Sequence, residues 1–320
     1  METYAYIGNE DVGVAIGGSL ASAGFSHVDD VVRADAVITF CTAQDELEDV
    51  YFETDGLIKQ VRPGTLLIDL SPSTPSFARE LEAVAIVSDL SFVEAPIAVA
   101  DPTRPDAFAD PANVAVCLAG EEDAVAAAMP FAEAIADDVH LMGGSGSAQV
   151  AKASFTVQYV AQIVSAIEAQ ALRDAVRTAP AGTGANVSGP ASPQSAVAEH
   201  VLAAAVAERF SGAYTVEILM ADLAAALATA DDVDLILPQA ESCMHLFELL
   251  AVIGGSDLSA AALSLVYGEE AACARHGLDW TRAEEAFGDH AHDRGDDADY
   301  DDDDGFDDEY PPTGFGYSAN

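Results

Sequence analysis

Apolar runs of four to seven residues recur through the first half of the chain. They fall at Tyr4–Ile7, Ala36–Phe40, Thr65–Leu70, Ser91–Ile97, Val114–Leu118 and Val139–Met142. Between them, apolar positions return with helical spacing over Val14–Ala23, Glu46–Lys59, Ser76–Val84 and Glu122–Ile135. Strands alternating with helices predict a mostly parallel, doubly wound sheet, because each parallel neighbour needs a crossover that a helix supplies. Gly143-Gly144-Ser145-Gly146 then breaks the pattern. One long helix is expected over Ala148–Arg177, followed by a stretch dense in Gly, Pro and Ser up to Ser195. Helices are expected next at Ala196–Arg209, Glu217–Thr229 and Ala240–Ile253, with a last pair between Ser259 and Phe287. The reading is α/β: a sheet domain over residues 1–142, an all-α domain over 143–288, and an acidic tail over 289–320.

The turn after the first strand carries the first candidate chemistry. Gly8-Asn9-Glu10-Asp11-Val12-Gly13 follows a strand and opens a helix, as a dinucleotide-binding G-x-G-x-x-G loop does. Both outer glycines are present, and Glu10 replaces the middle one. Free N–H groups and the positive dipole end make a helix N-terminus favourable for a pyrophosphate. Glu10 and Asp11 offer those donors internal anions instead. A like charge ~4 Å from a phosphate at an effective dielectric of ~20 costs on the order of 4 kcal/mol.

Charge narrows the classes further. There are 55 acidic residues against 12 basic ones, giving −43, and the lysines are Lys59 and Lys152. Such a chain repels itself in dilute buffer, whereas molar salt shortens the Debye length to ~3 Å. An acidic surface nearly emptied of lysine is expected of a protein adapted to a salt-rich cytoplasm. Nucleic acid is excluded as a partner, since phosphate contacts need clustered Lys and Arg. No signal peptide and no membrane span are expected. Cys41, Cys117, Cys243 and Cys273 form no CxxC pair, and the histidines have no ligand spacing, so no metal site is expected. Asp289-His290-Ala291-His292-Asp293 reads as a solvated linker opening the tail. The tail mixes aspartates with Tyr300, Phe306, Tyr310, Phe315 and Tyr317 and is expected to be disordered. It is either a solubilising extension or a segment that docks on a protein partner.

Several ordered motifs resemble the β-hydroxyacid dehydrogenase family, the relatives of 3-hydroxyisobutyrate and 6-phosphogluconate dehydrogenases, over residues 1–285. Besides the loop and helix at Gly8, Asp69-Leu70-Ser71 with Pro75 looks like its D-x-S-T-x-x-P. Phe92-Val93-Glu94-Ala95-Pro96 is similar to F-x-D-A-P, and Gly146 through Lys152 to G-x-G-x-x-x-K. The resemblance implies a Rossmann-like domain, an all-α partner domain, a homodimer, and NAD or NADP as cofactor. It implies hydride transfer on a small hydroxy or carbonyl substrate with Lys152 as general acid/base, rather than as an ordinary helix lysine. It places Gly8, Asn9, Glu10, Asp11, Val12, Gly13, Cys41, Thr42 and Ser71 at the cofactor, and Ala98, Val99 and Thr156 at the substrate.

The chain departs from that pattern at several of these positions. Thr156 stands for an asparagine, Ala98-Val99-Ala100 for a Ser-Gly-Gly substrate loop, and Ala221 for a second lysine. Residues 26–35 lead almost directly into the next strand, shortening the cofactor half by about 25 residues. The loss covers the unit that normally ends in the ribose-selecting acid, for which Asp29 and Asp30 are possible stand-ins. Two readings follow: a divergent oxidoreductase acting on a substrate less anionic than a β-hydroxyacid, or a dimeric scaffolding relative that has lost its cofactor.

Overall fold

A computed structural model describes residues 2–178 and 195–287. The Gly/Pro/Ser stretch and the acidic tail, with the disorder and partner role expected of it, lie outside the described residues.

The first half is one twisted sheet with helices on both faces. β1 (Thr3–Gly8), α1 (Glu10–Ser22), β2 (Ser26–His27) and β3 (Ala36–Phe40) come first. Next are α2 (Gln44–Phe52), α3 (Leu57–Gln60), β4 (Leu66–Asp69), α4 (Pro75–Val87), β5 (Ser91–Glu94) and β6 (Ile97–Val99). β7 (Val114–Gly120), α5 (Glu122–Ile135) and β8 (Asp138–Gly143) complete it. The spatial order is β2-β1-β3-β4-β5-β7, with β6 and β8 also paired to β7. β1 to β5 run parallel, while β7 is antiparallel to β5 and β6 and parallel to β8.

The central strands are buried on both sides. Ala36, Ile38 and Phe40 face α1 and α5, whereas Val37, with Leu67 and Phe92, packs under α2 and α4. This explains why they read as continuous apolar runs rather than as alternating ones. The first core continues into the second half, where Val160, Ile163 and Ile167 of α6 join it. α6 (Ser147–Thr178) is a single helix of 32 residues, about 48 Å long. It packs on α7 (Ala196–Val206), α8 (Val216–Asp231) and α9 (Pro238–Leu250).

Several boundaries differ from the periodicity, each for a local reason. α1 starts at Glu10 rather than Val14, because the Asn9 side chain caps it. The single strand expected over Ser91–Ile97 is interrupted at Ala95-Pro96, since proline has no N–H for the ladder; β5 and β6 keep one register against β7. The helix expected over Glu46–Lys59 divides at Gly56, where a Cβ would lie 2.5 Å from the Tyr51 carbonyl oxygen. In place of the last helix pair come a 3₁₀ turn (Ala260–Ala262), α10 (Leu263–Val266), α11 (Glu270–Arg275) and α12 (Thr281–Phe287).

Candidate functional site

The turn from β1 into α1 is tight. Gly8 has φ of 121°, and a Cβ there would lie 2.0 Å from the Phe40 carbonyl oxygen. That carbonyl accepts from the Asn9 N–H at 2.8 Å, and Asn9 Oδ1 accepts from the Val12 N–H at 3.1 Å. Gly13 lets the helix settle on the Tyr6 ring, 2.4 Å from where its Cβ would stand. The outer glycines thus serve the turn and the helix–strand contact. Glu10 and Asp11 are exposed in the first turn, at the positive end of the helix. A groove of about 510 Å³ runs from Gly8 and Glu10 past Gly13 and Gly17 to Phe25 and His27. No helix lies between the two-residue β2 and β3 to cover this flank of α1.

At the ends of β3 and β4 the predicted cofactor residues join a buried polar network. The Cys41 N–H donates to Ser71 Oγ at 2.9 Å, and the Ser71 N–H donates to Asp69 Oδ1 at 3.1 Å. Thr39 Oγ1 also donates to Asp69 Oδ1, at 2.9 Å. From α6, Gln149 Nε2 donates to the Ser71 carbonyl at 3.0 Å while its Oε1 accepts from the Ser73 N–H at 3.2 Å. Burial pushes the Asp69 carboxyl up to about 6, against the hydrogen bonds from Ser71 and Thr39. Burial likewise pushes the Cys41 thiol up to about 12, keeping it a neutral thiol. Thr42 is half-buried beside it. Ser71 is fully buried and acts as a strut between two loops and α6.

The start of α6 holds the second group. Glu94 Oε1 accepts from the Ala148 N–H at 3.2 Å, and the N–H groups of Gly146 and Gln149 also favour its charge. Burial dominates and pushes this carboxyl up to about 7. Little more than a turn into α6, Lys152 Nζ donates to the Ile97 carbonyl at 2.7 Å and to Asp222 Oδ2 at 2.5 Å. The same Asp222 oxygen accepts from the Tyr214 hydroxyl. Lys152 is 5% exposed and Asp222 and Tyr214 are each 3% exposed. An ammonium has three N–H donors, so one is left without a hydrogen-bond acceptor among the described residues, with the Phe155 ring centroid 6.0 Å away. Along the same helix, Thr156 Oγ1 and Tyr159 Oη are buried without hydrogen-bond partners among the described residues. Burial, with the Asp222 carboxylate adding to it, keeps the Tyr159 and Tyr214 hydroxyls protonated.

Ala98 is half-buried and Val99 is buried, and a cavity of about 230 Å³ lies against Ala98, Val99, Ala100, Asn113, Asp138 and Phe155. The structure therefore brings Lys152 and Thr156 together beside β6, and Cys41 and Ser71 together at the loop ends. Phe108 links the two groups, its ring 6.1 Å from that of Phe40 and 6.0 Å from that of Tyr214. Sequence reasoning missed Gln149, Tyr214 and Asp222. Asp222 had a signal: it is an acid inside the apolar stretch Met220-Ala221-Asp222-Leu223-Ala224.

Residues 14–174, half of the chain, match the family described as the NAD binding domain of 6-phosphogluconate dehydrogenase. The chain belongs to this NAD-binding family. The matched stretch begins one residue past Gly13. The NAD-dependent L-serine dehydrogenase of Pseudomonas aeruginosa is 31% identical over 152 residues, 48% of this chain and 49% of that protein. The chain thus spans about half the length of that relative. The 2-hydroxy-3-oxopropionate reductase of Escherichia coli is 25% identical over 68% of this chain and 73% of that protein. Among solved structures, 3-hydroxyisobutyrate dehydrogenase from Salmonella typhimurium has a TM-score of 0.65 at 18% identity, over 83% of this chain and all of that one. The Mycobacterium tuberculosis 3-hydroxyisobutyrate dehydrogenase structure with L-serine has a TM-score of 0.62 at 20% identity, over 84% of this chain and all of that one. At these identities the two structures bear on the fold alone.

Proposed function

We propose that this member of the NAD-binding family is a divergent NAD(P)-linked oxidoreductase of the β-hydroxyacid dehydrogenase type, with Lys152 as its general acid/base. The observation that carries the reading is the buried Lys152–Asp222–Tyr214 cluster at the start of α6, with one ammonium N–H left over. Its surroundings suit the task. The Ile97 carbonyl and Asp222 fix Nζ, Glu94 anchors the helix start, and the free N–H is available to a substrate oxygen. Lys152 gives that oxygen a proton in the reducing direction and takes it back in the oxidising one. A bound nicotinamide would supply or accept the hydride. Gly8 and Gly13 shape the turn where its pyrophosphate would lie, while Glu10 and the Val12 N–H, already given to Asn9, do not favour it. The working form is a homodimer in a salt-rich cytoplasm, acting on a small hydroxy or carbonyl compound.

A second reading is favoured by Glu10 and by the short connection from β2 to β3: a scaffolding relative that no longer holds a cofactor. Calorimetric titration with NADH and NADPH in about 3 M KCl separates the two, since that salt screens the acidic surface. The oxidoreductase reading expects micromolar binding of one cofactor. It also expects Glu10→Gly to tighten that binding at least about tenfold by removing a like charge. Lys152→Ala should bind the same cofactor and be inactive. No binding up to millimolar concentrations, in the native chain and in Glu10→Gly, retires the oxidoreductase reading.

A further inference from the structure

The charge balance around Lys152 bears on what can enter. Asp222 and Lys152 cancel at 2.5 Å, with both side chains buried. The charge of Asp101 also bears on the Tyr159 hydroxyl, although that carboxylate is itself held by Thr103 and by His200, at 3.3 Å. Two of the arginines are committed elsewhere. Arg104 holds Asp106 and Asp110, each at 2.8 Å. Arg173 bonds to Gln170 of its own helix, about 30 Å along α6 from Lys152. Among the described residues no basic side chain other than Lys152 hydrogen-bonds within the cluster. What the cluster does offer carries no net charge: the spare N–H of the Lys152 ammonium, neutralised by Asp222, and the Thr156 and Tyr159 hydroxyls. They sit at positions i, i+4 and i+7 of α6, one face of a helix. Buried polar groups left unmet are costly, and three of them on one face suit a ligand that carries its own hydroxyl or carbonyl groups.

We propose that the ligand of this face is a small uncharged hydroxy or carbonyl compound, held by Lys152, Thr156 and Tyr159, and that the Lys152–Asp222 pair makes the site reject carboxylates. An uncharged oxygen takes the third N–H without breaking the pair. The neutral pair supplies no net countercharge for a carboxylate, and turning Lys152 towards one would leave Asp222 buried with only the Tyr214 hydroxyl. Tyr159, kept protonated by burial, contributes a donor and no countercharge, while the Tyr214 hydroxyl is already given to Asp222. The inference rests on the oxidoreductase reading, whose substrate class it names.

The test needs neither cofactor nor turnover, because the chain has two lysines. Protein grown with lysine carrying ¹³C at Cε gives one signal for Lys152 and one for Lys59, which is exposed, bonded to the Glu53 carbonyl and serves as reference. The full chain is titrated in about 3 M KCl with propane-1,2-diol and, separately, with lactate, which differs by a carboxylate in place of the –CH₂OH group. The Lys152 signal should move with the diol and not the Lys59 signal, and lactate should bind at least about tenfold more weakly. Thr156→Val and Tyr159→Phe should each weaken the diol about tenfold while circular dichroism stays unchanged. Equal affinity for lactate and diol overturns the proposal, as does a Lys152 signal that neither compound moves. Adding NADH to the same samples keeps the two ideas apart: an enzyme that binds NADH yet prefers lactate refutes the substrate class and leaves the oxidoreductase reading standing.

Discussion

Glu94 shows how one side chain links local chemistry to stability. It occupies the position of a helix cap but lies fully buried, and burial outweighs the N–H groups of α6 that favour its charge. Its carboxyl titrates at about 7 in the folded chain against an ordinary 4.5. The folded state therefore binds more protons than the unfolded one between those values, and stability from this group falls as pH rises through that window. The difference amounts to on the order of 3 kcal/mol. Glu94→Gln removes the titration and keeps the shape. The urea midpoint of the native chain, compared with that of Glu94→Gln at the same salt, should decline from pH 5 to pH 8 and level off above. A constant difference would show that Glu94 is ionised throughout. Asp69, raised to about 6, acts in the same direction over a lower window and is common to both proteins.

Among the elements, α6 carries the link between the sheet and the helices, and the Lys152–Asp222 pair ties it to α8 while the Ile97 carbonyl ties it to β6. A buried pair of this kind contributes little net stability when complete, but removing one partner leaves an uncompensated charge. Lys152→Met should cost about 3–5 kcal/mol in denaturant unfolding for that reason. Lys152→Met with Asp222→Asn should recover about 2 kcal/mol of the loss, because the amide oxygen still accepts from Tyr214 and carries no charge. Strictly additive losses would mean that the pair is not coupled in the folded protein. At the other end of the sheet, the short β2–β3 connection leaves α1 with one open flank. The helix keeps its place through Asn9, Gly13 and the contacts of Val12, Ile16 and Leu20 with the core.

For the whole molecule the dominant quantity is charge. A net −43 on 320 residues opposes compaction over distances longer than any single contact, and added salt removes that opposition. The melting temperature should rise by roughly 10 °C or more between 0.5 and 3 M KCl. A flat response in calorimetry would show that self-repulsion does not limit this fold. The buried pairs at Lys152, out of reach of mobile ions, should keep their energetics across the same range, so the cost of Lys152→Met should not change with salt.

Much of the architecture was legible in the chain itself. Runs such as Ala36–Phe40 and Leu66–Asp69 are apolar on both faces, so they could only be central strands between two helical layers. The helix after Gly146 was legible because thirty residues pass without a strong breaker. Gly8 and Gly13 were legible as a turn and a helix contact because few other residues tolerate those positions. Periodicity could not set the boundaries at Asn9, Gly56 and Pro96, which depend on a cap, a close approach and a missing donor. Nor could spacing along the chain reveal that Lys152 is met by Asp222 and Tyr214, 70 and 62 residues further on. Sequence order records which groups exist. Only the packing of α6 between β6 and α8 decides which charges cancel, which hydroxyls go unmet, and what the site between them can accept.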